Sequence, residues 1–432
     1  MRQAVILAGG KGTRLGNLTE EIPKPLVKIC NKTILEYQIA NLVKNGITDV
    51  ILLVGYLSNK IKDYFQDGQK FGVNITYFEE KELLGTAGAF YFIKDRLDQN
   101  FIALYGDVIF DLDFTRFQIF HEAKNALASL LVHPNNHPYD SDLIMLDQDA
   151  VITGFIKKNE PRDFYYHNLV NAGAFILNRD ILQFIEPNKK QDLEKDLFSK
   201  AIPTNRVYAY KTSEYIKDMG TMDRYKLVTN HLEKGLVAAK NLGLPQKAIF
   251  LDRDGTINKL KGFLTKPEEI EIPEEAIQAF RLINNSEYLA IVITNQPVIA
   301  RNLCSLAELD IIHAKIETEL GLKGVYFDDL FFCPHHPDKG YPEERPEYKI
   351  NCSCRKPNVG LINKAVEVYN IDLNNSYFIG DTTTDIQTGK NANLKTILLS
   401  TGESGKDGKY QVKADYLALN LLEAVKIILD KG

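Results

Sequence analysis

Short apolar runs alternate with stretches of helical spacing along most of the chain. Residues 4–8, 50–54, 74–78, 101–105 and 126–132 read as strands, while 33–45 and 57–71 place their apolar residues at helical intervals. That alternation predicts a mostly parallel sheet with helical crossovers. Residues 223–242 continue as helix until Gly243-Leu244-Pro245, a stop followed by a breaker. The strand pattern restarts at 247–251 and returns at 289–293 and 377–379. The boundary therefore falls near residue 244, giving two doubly wound α/β domains, 1–244 (Rossmann-like, with a C-terminal linker helix) and 245–432. Neither an internal repeat nor a low-complexity tract interrupts them.

Composition agrees with this division, because 432 residues exceed what one hydrophobic core organises. Hydrophobic residues at 44% and charged residues at 25% describe an ordinary globular protein. A net charge of −5 without a basic block gives no reason to expect nucleic-acid binding. No apolar stretch is long enough to predict a membrane span, and Met1-Arg2-Gln3 leads straight into a strand, so the expectation is a cytoplasmic protein. Three of the five cysteines, Cys333, Cys352 and Cys354, lie at spacings more typical of metal binding than of a disulfide framework.

Candidate chemistry starts where the first strand ends, in Leu7-Ala8-Gly9-Gly10-Lys11-Gly12-Thr13-Arg14-Leu15. A dinucleotide fingerprint would need glycine at position 15, and a Walker A loop would end in Gly-Lys-Ser/Thr; neither fits. What remains is a glycine-rich turn whose backbone N–H groups can approach phosphate, with Lys11 and Arg14 adding charge for a triphosphate. Pro23-Lys24-Pro25 fixes a lysine at little entropic cost, and Gly85-Thr86-Ala87-Gly88 is a small-residue turn against which a flat base can lie. Gly106-Asp107 follows a strand, and Asp218 offers a second carboxylate, so that with phosphate oxygens the pair makes part of the shell Mg²⁺ favours.

These motifs, with Asn171-Ala172-Gly173 and Leu193-Glu194-Lys195-Asp196 in the same order, resemble the sugar-1-phosphate nucleotidyltransferases over most of residues 1–230. The resemblance implies that Gly9, Gly10, Lys11, Gly12, Thr13, Arg14 and Gly85 to Gly88 hold a nucleoside triphosphate. It further implies that Lys24 contacts sugar phosphate, that Asn171, Gly173 and Glu194 contact the sugar, and that Asp107 and Asp218 bind Mg²⁺. Leu83-Leu84 stands where many relatives have a proline, which changes the shape expected of the base pocket. In the implied reaction the sugar phosphate attacks the α-phosphorus and expels pyrophosphate. No protein nucleophile is needed.

In the second half, Asp252 and Asp254 sit two apart at the end of an apolar strand, so both face the same side in extended backbone. One can attack phosphorus while the other protonates the leaving oxygen, provided Mg²⁺ relieves their repulsion. Thr294-Asn295 ends a second strand, Arg355-Lys356 lies in a later loop, and Gly380-Asp381-Thr382-Thr383-Thr384-Asp385 follows a third strand. The set resembles the haloacid-dehalogenase superfamily of phosphatases. That likeness implies Asp252 as nucleophile, Asp254 as acid and base, Thr294, Asn295, Arg355 and Lys356 as phosphate or sugar contacts, and Asp252, Asp254 and Asp381 around Mg²⁺.

Cys333, His335, Cys352 and Cys354 supply three sulfurs and an imidazole, the ligand set of a closed structural zinc. His336 competes as a ligand but reads better as a surface or substrate-facing residue, and Cys30 and Cys304 read as small buried apolar residues. Cys-Pro-His-His-Pro followed by Cys-x-Cys-Arg-Lys-Pro resembles the heptose-bisphosphate phosphatases, whose relatives the histidinol-phosphate phosphatases share these zinc ligands. Pro297, Val298 and Asn302 replace the usual Ser, Gly and Gly, which stiffens a loop near the substrate and leaves room for altered specificity. Together the resemblances imply consecutive reactions on D-glycero-D-manno-heptose: a sugar bisphosphate loses one phosphate, and the resulting sugar 1-phosphate receives a nucleotide, with GTP favoured by Gly-Thr-Ala-Gly. Another phosphorylated sugar, or one silent half serving an interaction role, remains open at this point, as does homo-oligomerisation.

Overall fold

The computed structural model describes the chain except residues 11–18, 20, 81, 83, 339, 341, 342 and 432. By their contacts the residues form two compact units. Met1–His133, Ile144–Ile156 and Asn171–Gly243 make the first, and Pro134–Leu143, Lys157–Val170 and Leu244–Gly432 the second. Among the described residues no helix is long and apolar enough to cross a membrane.

The sheet of the first unit is built around four parallel strands, in the spatial order Asn74–Glu79, Asp49–Val54, Gln3–Leu7 and Asn100–Tyr105. Numbered along the chain this is 3-2-1-4, with the order reversing between Gln3–Leu7 and Asn100–Tyr105. Val170–Asn178 then adds antiparallel to Asn100–Tyr105, so the predicted parallel sheet is a mixed one beyond its centre. Helix Ile34–Lys44 starts in a capping box between Thr33 and Glu36 and buries Leu35, Ile39 and Leu42, one stripe of helical period, against Ile6, Leu52 and Leu104. The predicted helix 57–71 stops at Phe65, where Gln66 takes a positive φ of 49°. The predicted helix 223–242 is likewise split into Met222–Glu233 and Leu236–Ala239 by Gly235 at φ 73°.

Six parallel strands form the sheet of the second unit, in the order Asp329–Cys333, Leu289–Asn295, Ala248–Leu251, Tyr377–Gly380, Lys395–Leu399 and Tyr416–Ala418. This is 3-2-1-4-5-6, the doubly wound order whose crevice opens between strands 1 and 4. Ala248–Leu251 is buried at every position, as its uninterrupted apolar run requires of a strand covered on both faces. Helices Glu274–Asn284 and Leu421–Leu429 bury Ile277, Phe280, Ala424 and Ile428 in its core. Within the same unit the Tyr166 N–H donates to Thr318 Oγ1 at 2.9 Å, and His167 Nδ1 lies 2.8 Å from Glu317. Of the two cysteines expected to be buried, Cys304 is; Cys30 is exposed, in a turn with φ 51° where its side chain has no core to enter.

Candidate active sites

In the first unit a cavity of about 490 Å³ opens at the reversal of strand order. Gly9 and Gly10 reach it from strand Gln3–Leu7, Asp107 from the end of Asn100–Tyr105, Lys24 from a 3₁₀ turn, Lys24–Leu26, and Gly85 and Thr86 from helix Gly85–Gly88. Lys24 is buried, and its Nζ donates to Asp107 Oδ2 at 2.6 Å. Asp218 lies across an antiparallel pair from Val108, and Arg224 grips its carboxylate at 2.6 and 2.7 Å. Asn171 donates to Glu194, Tyr105 donates to the same carboxylate at 3.3 Å, and the Gly173 N–H donates to Asn171 Oδ1 at 3.0 Å. Of this group Tyr105 lines the cavity, whereas Asn171, Gly173 and Glu194 lie behind it.

The sequence assigned Gly85 to Gly88 to the base. In the structure Gly85 has φ 77°, and a Cβ there would collide with the Gln191 carbonyl, so close approach of a neighbouring segment demands the glycine. Ala87 and Gly88 are buried behind the wall rather than on it. Lys11, Gly12, Thr13 and Arg14 lie outside the described residues. Asp107 and Asp218 are each neutralised by a side-chain cation, and among the described residues they form no three-ligand metal group.

The second site occupies the corresponding reversal, with Asp252 after strand 1 and Asp381 after strand 4. Lys356 Nζ donates to Asp252 at 2.5 Å and to Asp385 at 2.6 Å, all three side chains being buried. Asp252, Asp381 and Asp385 bring carboxylate oxygens within 4.8 Å of one another. Burial, and then the neighbouring carboxylates, push the carboxyls of Asp252 and Asp381 well above the usual range. Burial alone would lower Lys356, but Asp252 and Asp385 raise it further. Three carboxylates facing one ammonium leave two negative charges uncompensated, and the buried Asp381 Oδ1 has no hydrogen-bond partner. The donor set therefore fits a divalent cation with oxygen ligands. Gly255, at φ 87°, lies so close to the Asp381 carboxylate that any Cβ would strike it, which explains the glycine after Asp254.

Asp254 points elsewhere. Arg253, almost fully buried, holds it through two bonds from one amino group at 2.6 and 2.9 Å, and Asn258 and Gln296 donate at 3.0 Å each. Burial would raise its carboxyl, but the Arg253 guanidinium and these hydrogen bonds hold it below the usual range. These contacts favour the Asp254 carboxylate over its acid form. It stands outside the metal-capable cluster, where the structure places Asp385 instead. Thr294 is buried and accepts from Gln296 at 2.9 Å. Asn295, expected to meet substrate, clamps the Lys356 backbone in both directions, at 3.0 and 3.2 Å.

Cys333, His335, Cys352 and Cys354 converge, with sulfurs 3.2 to 3.5 Å apart and His335 Nδ1 3.3 Å from the Cys354 sulfur. Three sulfurs and one nitrogen in a closed group match tetrahedral zinc. His336, read as a surface or substrate-facing residue, is buried and so not on the surface, and its backbone N–H donates to the Tyr348 carbonyl at 3.1 Å. Arg355 donates to the His335 carbonyl at 2.9 Å, joining this cluster to the loop that carries Lys356. Asn302 takes a positive φ of 54°, a left-handed conformation that asparagine tolerates better than most side chains.

Sequence reasoning missed Asp385, Arg253 and Gln296. Asp385 is also the N3 partner of Thr382 in a capping box, an ordinary helix-start pattern that hides its second bond to Lys356. Arg253 looks like a spacer between two aspartates until burial reveals its partner.

Two doubly wound units, each with anion-handling groups at its reversal of strand order, define a nucleotide-handling class and a phosphoryl-handling class in one chain. Residues 3–235 match the Nucleotidyl transferase family, and residues 353–424 match the HAD-hydrolase-like family. The chain belongs to the nucleotidyl transferase family and, through its second half, to that of the heptose-bisphosphate phosphatases. The mannose-1-phosphate guanylyltransferase catalytic subunit beta of Drosophila pseudoobscura pseudoobscura is 35% identical over 222 residues, 50% of this chain and 59% of that protein. The chain thus spans about three fifths of the length of these transferase relatives. The D-glycero-beta-D-manno-heptose-1,7-bisphosphate 7-phosphatase of Pasteurella multocida is 35% identical over 185 residues, 42% of this chain and 97% of that protein. The crystal structure of HddC from Yersinia pseudotuberculosis matches 54% of this chain and 100% of its own at 26% identity and a TM-score of 0.47.

Proposed function

We propose that the chain is a bifunctional enzyme acting in succession on a phosphorylated heptose. Residues 245–432 remove the 7-phosphate of D-glycero-D-manno-heptose 1,7-bisphosphate, and residues 1–244 transfer GMP from GTP to the heptose 1-phosphate, releasing pyrophosphate. The observation that carries the reading is the buried Asp252, Asp381, Asp385 and Lys356 group, in a half whose phosphatase relative is matched over nearly its whole length. A silent module has no use for carboxylates that repel one another in a dry site.

In the phosphatase step Asp254 first takes up a proton from solvent; an Asp252 oxygen then attacks phosphorus, the bond to the sugar oxygen breaks, and Asp254 gives that proton to the leaving oxygen. Water then attacks the aspartyl phosphate, Asp254 takes its proton, and phosphate leaves. Lys356 keeps Asp252 oriented and balances charge throughout. Mg²⁺ would be held by Asp252, Asp381 and Asp385, where it would supply the remaining positive charge for the phosphoryl oxygens. In the transfer step the heptose phosphate oxygen attacks the α-phosphorus and the bond to pyrophosphate breaks, with Lys24 neutralising phosphate, Lys11 and Arg14 meeting the triphosphate, and Asp107 and Asp218 the expected Mg²⁺ ligands. Zinc at Cys333, His335, Cys352 and Cys354 is structural, and the setting is cytoplasmic.

Mannose 1-phosphate is the second candidate acceptor, because the transferase relatives are named for it. Mass spectrometry of the products from heptose 1,7-bisphosphate and mannose 1-phosphate, each with an equimolar mixture of nucleoside triphosphates, tests both. GDP-heptose as the main product supports the proposal; GDP-mannose alone, or no phosphate release from the bisphosphate, rejects it.

A further inference from the structure

The second unit draws two stretches of chain from before residue 244, and one of them grips a single helix. Helix Leu306–Leu322 starts in a capping box between Ser305 and Glu308 and buries Ile312, Ile316 and Leu320 in the unit's core. Residues 165–168, within Lys157–Val170, lie along another face of it. Lys315 Nζ stands 4.6 Å from the centre of the Tyr165 ring, Thr318 Oγ1 accepts from the Tyr166 N–H at 2.9 Å and donates to the Tyr166 carbonyl at 3.1 Å, and the Asn168 N–H donates to Glu317 at 2.7 Å. Between them His167 bridges two carboxylates, with Nδ1 2.8 Å from Glu317 and Nε2 3.2 Å from Asp310. Burial would lower its imidazole, but Glu317 and Asp310 raise it to about 10, so it is charged at neutral pH.

The same helix carries His313, one turn after Asp310 and one turn before Glu317, at the border between the clasped face and the core-facing stripe. His313 is buried, and its Nε2 lies 3.4 Å from Arg253 Nη1. A guanidinium only donates, so His313 accepts there and carries no proton on that nitrogen. Burial, and then the charges of Arg253 and His167, hold its imidazole well below the usual range. The other two nitrogens of Arg253 hold Asp254, Nε at 3.1 Å and Nη2 at 2.6 and 2.9 Å. Apolar packing is non-directional and leaves rotation about the helix axis loosely set, whereas hydrogen bonds at Asp310, Glu317 and Thr318 are directional. The clasp therefore fixes the direction from which His313 meets Arg253.

On the reading of Asp254 as the acid and base of phosphate release, we propose that His167 is a positioning residue of the phosphatase site, holding helix Leu306–Leu322 so that His313 keeps Arg253, and through it Asp254, aimed at the leaving oxygen. The phosphatase machinery is thereby completed by a segment of chain that lies, in sequence, inside the other half. Loss of the clasp lets the helix turn and Arg253 tilt, and Asp254 follows. Such a misplacement costs most where the leaving group needs a proton, as a sugar oxygen does, and least where it departs as a stable anion.

The test is kcat/KM of the full-length enzyme and its variants for heptose 1,7-bisphosphate and for 4-nitrophenyl phosphate, whose nitrophenolate leaves without a proton. Taken as a sugar:aryl ratio within each protein, the result is not distorted by a partly folded preparation. His167→Leu and His313→Leu should each lower the ratio by on the order of 10-fold, with the loss in kcat, and His167→Lys, which restores a cation between the two carboxylates, should recover most of it. Should His167→Leu be insoluble, Asp310→Asn removes one partner of the same imidazole at an exposed position and should lower the ratio by about threefold. An unchanged ratio in His167→Leu, equal losses on both substrates, a loss carried by KM alone, or failure of His167→Lys to recover the ratio would overturn the assignment. An unchanged ratio in Asp254→Asn rejects instead the acid role of Asp254, a separate result.

Discussion

Both sheets run 3-2-1-4 across their first four strands, and so both bring the ends of strands 1 and 4 together at one edge. The first half furnishes that edge with glycines, an open cavity and ion pairs whose acids are partly exposed, Asp107 at 37% and Asp218 at 35%. The second furnishes it with three buried carboxylates around one buried ammonium. Joining two bound substrates needs room and mobile positive charge, whereas forming a bond to a side chain needs a nucleophile packed beside its charge partners. The same topology thus supports two chemistries because the residues just beyond the strands differ.

The sharpest break between the halves is expected from Asp252→Asn. Phosphate release from the bisphosphate should fall by at least about 10,000-fold while transfer to heptose 1-phosphate persists, as separate phosphate and pyrophosphate assays would show. Lys24→Ala should do the reverse, lowering transfer by roughly 1,000-fold without affecting phosphate release. A variant that impaired both reactions equally would mean that the sites are not independent.

The cluster of Cys333, His335, Cys352 and Cys354 sharpens the comparison, since Cys354 lies two residues before Lys356 and the Arg355 bond to His335 ties the two groups together. Cys352→Ser, or a chelator strong enough to remove zinc, should reduce phosphate release by about 10- to 100-fold and leave transfer unchanged. Full phosphatase activity in a metal-free preparation, verified by elemental analysis, would refute the link.

A smaller effect belongs to the first half. Glu214 accepts from the N–H groups of Asp113 and Leu242 and lies 3.0 Å from the Thr212 hydroxyl, and burial raises its carboxyl from 4.5 to about 7. A folded pKa above the unfolded one means that its contribution is fully present below pH 4.5 and is lost as pH rises to about 7 and beyond. Glu214→Gln should therefore stabilise the first unit at pH 8 by up to about 3 kcal/mol and change little at pH 4.5, as denaturant unfolding at the two pH values would report. Equal effects at both would contradict the assignment.

Much of this was legible in the sequence, for a physical reason. Buried parallel strands are short uninterrupted apolar runs, so their ends mark the ligand edge, and Asp107, Asp252 and Asp381 could be placed there without coordinates. Lys24 was legible because prolines on both sides announce a fixed backbone. Helix ends were harder to place: Gln66 takes a positive φ without being glycine, and no local pattern announces that. Asp385 was hidden by its second role as a helix cap, and Asn295 by a partner far away in the chain. Nothing local marks Pro134–Leu143 and Lys157–Val170 for the second unit, because their partners, such as Thr318, follow more than a hundred residues later.

The most direct test of two sites working in succession is a ³¹P NMR time course of the full-length enzyme supplied with heptose 1,7-bisphosphate, GTP and Mg²⁺. Inorganic phosphate should appear first and pyrophosphate after a lag, with GDP-heptose accumulating in step with pyrophosphate; Asp252→Asn should give neither signal until heptose 1-phosphate is added. Pyrophosphate released from the bisphosphate by Asp252→Asn, or released before any phosphate by the unaltered enzyme, would contradict it.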